Sequence, residues 1–369
     1  MNIPILDLKR QYHGIKSEIN EALERVMEST HFILGPEVKK LEEDIAKYCG
    51  VKHGIGVANG TDALELVLRA LEIGEGDEVI TTPFTFFASA EVVSKLGAKP
   101  VFVDIDKDTY LIDVDKIEEK ITEKTKAIMP VHIFGQACDM EKLMKLADKY
   151  KLYVIEDSCQ AIGSEYEGKK VSSFGIAGCF SFYPTKNLGG YGDGGMIVTD
   201  NDELVNRIRV LRAHGSKIKY YHQDIGYNSR LDEMQAAILN VKFKYLDDWN
   251  KQRRKHAYRY NELLSGCVKT PKEAAYEQCH IYHQYTIEVR NRDEFAKLLK
   301  DKGIGTMIYY PVPLHLQDVY KDLGYRKGDL PYAEAACDNV ISLPISPEMT
   351  TEEQDYIIAE IKRYMGAKQ

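Results

Sequence analysis

Tryptophan occurs once in 369 residues and proline twelve times, and none of the seven cysteines (Cys49, Cys138, Cys159, Cys179, Cys267, Cys279 and Cys337) pairs with another in a C-x-x-C spacing. An odd number of scattered thiols excludes a disulfide framework, and ten histidines without ligand spacing give no metal site. Reduced thiols in a cytoplasm are the simplest account. Basic residues are also short, 49 against 57 acidic for a net charge of -8, so the excess needed to hold a nucleic-acid backbone is missing. No uncharged run reaches the ~18 residues of a membrane helix, and charges within the first ten positions leave no room for a signal peptide. What is present is 44% hydrophobic and 29% charged residue, enough for two domains or one large domain with an appendage. Tyrosine is in excess, 24 against 11 phenylalanines, which suits a polar cleft or a subunit surface.

Periodicity predicts helices over 14–29 and 36–48, a short strand at 54–58, and then alternating β and α segments. Strands are expected at 78–81, 100–103, 127–131, 153–156, 179–182 and 196–199. Helices are expected at 61–72, 86–96 and 139–150, the last capped by Asp139. This order predicts an α/β fold: a mostly parallel sheet flanked by helices, with ligand sites at the carboxyl ends of the strands. A long helix over 231–264 is expected to separate a large domain, 1–245, from a linking helix and smaller α+β C-terminal domain, 246–369. The latter is expected to hold strands near 281–289 and 304–309 and helices near 293–302, 330–340 and 351–364.

Three stretches place unusual residues at expected strand ends. In Asn59-Gly60-Thr61-Asp62, free N–H groups at a helix start suit a phosphate, although an ordinary helix cap reads the same way. In Ile155-Glu156-Asp157-Ser158-Cys159-Gln160 an apolar strand runs into two carboxylates, placed to hold a cation or a protonated ring nitrogen, or simply to cap a helix. In Phe182-Tyr183-Pro184-Thr185-Lys186-Asn187-Leu188-Gly189-Gly190, one lysine sits in a loop with little backbone freedom, where desolvation can make it an amine nucleophile. The G-x-G-x-x-G match at 190–195 leads into a strand and not a helix, so a nicotinamide oxidoreductase lacks its context. Phosphate cradle, acid and lysine together match the needs of pyridoxal phosphate.

These stretches, with Pro4-Ile5-Leu6-Asp7-Leu8, His31-Phe32-Ile33-Leu34-Gly35-Pro36, Val131-His132-Ile133-Phe134-Gly135-Gln136, Gly226-Tyr227-Asn228-Ser229-Arg230-Leu231-Asp232-Glu233 and Tyr310-Pro311-Val312-Pro313-Leu314-His315, resemble the DegT/StrS group of sugar aminotransferases over nearly the whole chain. That resemblance implies fold type I and pyridoxal phosphate as cofactor. It implies Lys186 as the Schiff-base lysine, Asp157 on the pyridine nitrogen, Gln160 on the ring's 3-oxygen and Phe86 stacked on the ring. The phosphate falls to Gly60, Thr61 and Ser181, joined by Asn228 of a neighbouring subunit, so a homodimer with shared sites is expected. Lys186 argues against the dehydratase branch, which carries histidine there. Ile162 departs from relatives that place a histidine after Gln-Ala.

The expected reaction moves the amino group of L-glutamate to a nucleotide-linked ketosugar. Lys219, in the basic stretch Gly215–His222, is the candidate for the diphosphate, with Tyr183, Tyr309, Tyr310 and His315 near the sugar. A solvated loop is the competing reading for Lys219. The same stretch is similar to the branch that aminates dTDP-3-keto-6-deoxy-D-hexoses at C-3, gluco or galacto. The alternatives are C-4 amination of a UDP- or dTDP-linked sugar, and a cofactor-binding regulator without turnover.

Overall fold

The computed structural model describes residues 1–276 and 278–366. Its central sheet contains β1 (His53–Val57), β2 (Glu78–Thr81), β3 (Lys99–Phe102), β4 (Thr125–Ile128) and β5 (Tyr153–Asp157). A small hairpin, β6 (Glu165–Tyr166) and β7 (Lys169–Lys170), precedes the last two sheet strands, β8 (Ala177–Ser181) and β9 (Gly195–Thr199). The order across the sheet is β1-β9-β8-β5-β4-β2-β3, and only β9 runs against the others. Both faces are covered, which is why these strands read as unbroken apolar runs. Neighbouring residues go to opposite cores: Ile80, Ile128 and Val154 to one, Val79, Ala127 and Ile155 to the other.

Helices fill the crossovers. They are α1 (Leu8–Ser29), α2 (Pro36–Cys49), α3 (Gly60–Ala70), α4 (Ala88–Lys95), α5 (Met140–Tyr150) and α6 (Asp202–Leu211). Asp7 caps α1 by accepting from the Arg10 N–H, and Asp139 caps α5 by accepting from Lys142, the latter as expected from sequence. The expected helix over 231–264 is two helices, α7 (Glu233–Phe243) and α8 (Leu246–Leu264). Tyr245 breaks it: its ring stacks on Trp249 at 5.6 Å while its hydroxyl reaches Glu18 on α1.

Between α6 and α7 lies a hairpin, β10 (Ser216–Ile218) with β11 (Tyr221–His222), and after α8 come the strands β12 (Gln278–Cys279), β13 (Tyr285–Glu288) and β14 (Val340–Leu343). Interleaved are α9 (Arg292–Asp301), α10 (Pro331–Asn339) and α11 (Thr351–Gly366). The strand expected at 304–309 does not form. Ile3 occupies that backbone instead, donating to the Gly303 carbonyl and accepting from the Gly305 N–H, both at 2.7 Å, so only single bridges remain at Ile304 and Met307. Sequence reading also passed over α6, β14 and the two short hairpins. A third core joins Ala257, Tyr260 and Leu264 of α8 to Tyr285, Ile287, Phe295, Ile341 and Ile357. Much of the tyrosine excess lies here with its hydroxyls satisfied: Tyr260 on the Pro344 carbonyl, Tyr282 on Glu273 and Tyr285 on Asn261. The segment after α8 returns to the large sheet's side at several points, among them β12 on β6 and Leu314, whose N–H meets the Pro83 carbonyl at 2.8 Å.

Candidate active site

Because six of the seven strands are parallel, their carboxyl ends share one edge, and the turns after β1, β2, β4, β5 and β8 converge there. After β1, Asn59 caps α3 by accepting from the Asp62 N–H at 2.8 Å. The Gly60 and Thr61 N–H groups have no acceptor by their position in the first turn. Gly60 must be glycine because a Cβ would stand 2.7 Å from Ser181 Cβ and 2.9 Å from Cys159 Sγ. Gly195 is pressed equally hard, 2.4 Å from the Asn59 carbonyl. The result is a helix N-terminus with close backbone access, suited to an anion. Gly60→Ala is expected to weaken cofactor retention at least ~10-fold through this overpacking, read as the dissociation constant in an absorbance titration.

Asp157 ends β5 and is buried. One carboxylate oxygen accepts from Ser89 Oγ at 2.7 Å and the other from the Cys159 N–H at 3.2 Å. Thr85 Oγ1 lies 3.1 Å from Ser89 Oγ, extending the chain of hydroxyls into the turn after β2. Donors on both oxygens fix the direction of the carboxylate, as pairing with a ring nitrogen requires. Directly beside it, Glu156 is wholly buried and accepts from the Ser172, Phe174 and Gly175 N–H groups at 2.6, 2.9 and 2.8 Å. It also meets His132 Nε2 at 3.1 Å, and since His132 Nδ1 accepts from the Cys138 N–H, it is Nε2–H that donates to Glu156. Of the two adjacent carboxylates, then, Glu156 is tied up in the scaffold and Asp157 faces the site.

Lys186 follows β8 in a closed turn. Its N–H meets the Tyr183 carbonyl at 2.8 Å, and a Cβ on Gly189 would collide with the Pro184 carbonyl. Buried Lys242 of α7 binds the Gly189 carbonyl from below, between the rings of Tyr191 and Trp249. Asn187 is held by Asn250 at 2.7 Å and by His283 Nδ1 at 3.0 Å. Burial pushes the Lys186 ammonium below its ordinary value, against the opposing pull of Cys159 and Asp157. Burial, then Lys186 and Arg253, push His283 well down, so it stays neutral. A lysine with a lowered pKa near a buried aspartate is equipped for amine chemistry.

Phe86 is 59% exposed, its ring 6.4 Å from Tyr310, and so offers a bare aromatic face at this edge. Gln160 Oε1 accepts from the Phe134 N–H at 2.9 Å, and Nε2 donates to the Tyr310 hydroxyl at 3.0 Å. Ser181 Oγ accepts from the Tyr183 N–H at 3.3 Å. Tyr183 is exposed and Tyr309 half-buried, with their rings near enough that Tyr183 helps raise the Tyr309 phenol, after burial. These residues line one region. His315 does not join them: it is 1% exposed, its Nε2 lies 3.1 Å from Glu334, and Tyr325 packs on its ring. Lys219 sits on the exposed β10–β11 hairpin over the Tyr220 ring, with no ion pair among the described residues. Asn228 is exposed and accepts from Arg230 at 2.5 Å. Neither contributes to the Lys186 group through a hydrogen bond of its own chain.

Sequence reading missed Ser89, Thr85, Asn250 and His283. Ser89, Asn250 and His283 lie far along the chain from the residues they support, where no local spacing marks them, and Thr85 acts through Ser89, four positions on. The donor set fits pyridoxal phosphate: N–H groups at a helix start for the phosphate, a buried aspartate held by Ser89 for the ring nitrogen and a lysine of lowered pKa.

The model of the DegT/DnrJ/EryC1/StrS aminotransferase family matches residues 13–362. The chain is 55% identical to a pleiotropic regulatory protein of Geobacillus stearothermophilus, covering 99% of both. It is 47% identical to the dTDP-3-amino-3,6-dideoxy-alpha-D-galactopyranose transaminase of Aneurinibacillus thermoaerophilus, over 98% of this chain and 99% of that one. It is 46% identical to a UDP-N-acetyl-3-dehydro-alpha-D-glucosamine 3-aminotransferase of Acidithiobacillus ferrooxidans, over 98% and 97%. Among solved structures, DesV of S. venezuelae in complex with a ketimine intermediate superimposes with a TM-score of 0.96 at 41% identity, covering 99% of this chain and 98% of that one.

Proposed function

Because the chain belongs to the DegT/DnrJ/EryC1/StrS aminotransferase family, we propose that it transfers the amino group of L-glutamate to C-3 of a dTDP-3-keto-6-deoxy-D-hexose. It is a pyridoxal-phosphate-dependent sugar aminotransferase that acts on nucleotide-linked ketosugars. The observation that carries the reading is Lys186, desolvated in a fixed loop beside Asp157 at the edge where the α3 N-terminus opens.

When bound, the cofactor supplies a carbonyl carbon for amines and a ring that accepts electrons. The protein supplies the rest. The Gly60 and Thr61 N–H groups with Ser181 would hold the phosphate, Phe86 would cover the ring, and Asp157 would pair with the ring nitrogen. Lys186 Nζ, whose ammonium burial pushes below its ordinary value, would take the proton from the donor's Cα and later return one to the product carbon. Ser89, donating to Asp157, would hold its carboxylate in place throughout.

For the acceptor, C-3 amination is supported by the names of the relatives described above, which include both dTDP- and UDP-linked sugars. Tyr183, Tyr309 and Tyr310 are the in-chain candidates for the sugar. Lys219 and Asn228 complete the site of a second copy in the homodimer we propose. That assignment is supported by the exposure of their hairpin, where Ile218, Tyr220, Tyr221 and Ile225 face solvent in one chain. The seven unpaired thiols accord with a cytoplasmic setting, and no helix among the described residues is long and apolar enough to cross a membrane.

The purified protein is expected to be yellow, to bleach with L-glutamate, and to regain colour with the 3-ketosugar. NMR of the product locates the nitrogen. Nitrogen at C-4 replaces the acceptor assignment, and a protein that stays yellow with glutamate is a cofactor-binding regulator.

A further inference from the structure

Tyr310 joins this edge from the far half of the chain, and its hydroxyl is engaged within the protein. Its ring lies 6.2 Å from Phe84 and 6.4 Å from Phe86, both in the turn after β2. The orientation of the Gln160 amide is fixed by chemistry: the Phe134 N–H can only donate, so Oε1 must face it and Nε2 must face Tyr310. The Tyr310 oxygen accepts one of the two Nε2 hydrogens, which leaves the second with a single open direction. Among the described residues the Tyr310 O–H has no acceptor of its own. Burial raises the phenol, with Asp157 and Cys159 adding to the shift, so it stays protonated while lying near the residues that hold the cofactor.

We propose that Tyr310 is a positioning residue for the cofactor: it locks the Gln160 amide so that the remaining Nε2 hydrogen is presented to the cofactor's ring 3-oxygen. This rests on the reading that Gln160 faces that oxygen. A hydrogen bond donated to the 3-oxygen stabilises its anion and weakens its hold on the proton shared with the lysine-derived nitrogen. Without the lock, the amide turns away and the shared proton is held more tightly.

The test is an absorbance titration of the purified holoenzyme, without substrate, following the visible band of the lysine-bound cofactor. Tyr310→Phe keeps the ring and its contacts with Phe84 and Phe86 while removing the hydroxyl. It is expected to raise the midpoint by about one pH unit, the size of one lost charge-assisted hydrogen bond. Gln160→Leu is expected to shift it in the same direction, and the double variant no further than the larger single shift; this variant carries the test should Tyr310→Phe fail to accumulate. A purely structural tyrosine leaves the midpoint within about 0.2 pH unit of the parent, and that result overturns the proposal. If the parent protein shows no visible band, the functional reading itself fails and this proposal falls with it.

Discussion

Lys186→Ala is expected to lower turnover at least ~10⁴-fold, because it removes the amine that anchors the cofactor and, with it, the base that carries the proton. No other amine stands in for it. Lys242 is buried beneath the loop with its Nζ on the Gly189 carbonyl, and Lys219 lies on the exposed hairpin. The loop should survive the change, since the Asn187 bonds to Asn250 and His283 and the Lys242 clamp do not involve the lost side chain. Release of free pyridoxal phosphate on gel filtration, together with single-turnover assays with glutamate, measures the effect. Retention of more than about a hundredth of parent activity would remove Lys186 from its assigned role.

Glu156→Gln is expected to lower the free energy of unfolding by about 3 kcal/mol, the largest stability effect near the site. The glutamine oxygen can replace Oε1 and keep the Phe174 and Gly175 N–H bonds. Its NH₂ would then face the Ser172 N–H and the His132 Nε2–H, donor against donor. His132 cannot shift its proton to relieve this, because Nδ1 already accepts from the Cys138 N–H. Turning the amide over moves the conflict to Phe174 and Gly175. The expected result is a lower urea midpoint with an unchanged slope, and a midpoint equal to the parent's would show that these N–H groups find other acceptors. Asp157 is the next residue, so activity should fall as well, but less than with Lys186→Ala.

The comparison of these two carboxylates shows where sequence reading stopped. Glu156 and Asp157 stand together at the end of an apolar strand, and position alone gives both the same standing. Strand alternation turns one toward Ser172–Gly175 and His132 and the other toward Ser89 and the open edge. His315 makes the same point in reverse: its place after Tyr310-Pro311 suggested a ligand contact, and its partner proved to be Glu334 on α10.

Strand and helix order, the Asp139 cap, the lysine loop and the glycine-led start of α3 were legible because each is set by local forces: periodic burial, capping and restricted backbone freedom. The break at Tyr245, the loss of the strand at 304–309 and the return of Tyr310 to Gln160 were not. They depend on Glu18, Ile3 and Gln160, residues between about 150 and 300 positions away, whose approach is decided by packing of the whole chain and leaves no periodic mark on the segments involved. The chemistry was therefore readable from short stretches, while the groups that hold its side chains in place came only from the tertiary structure.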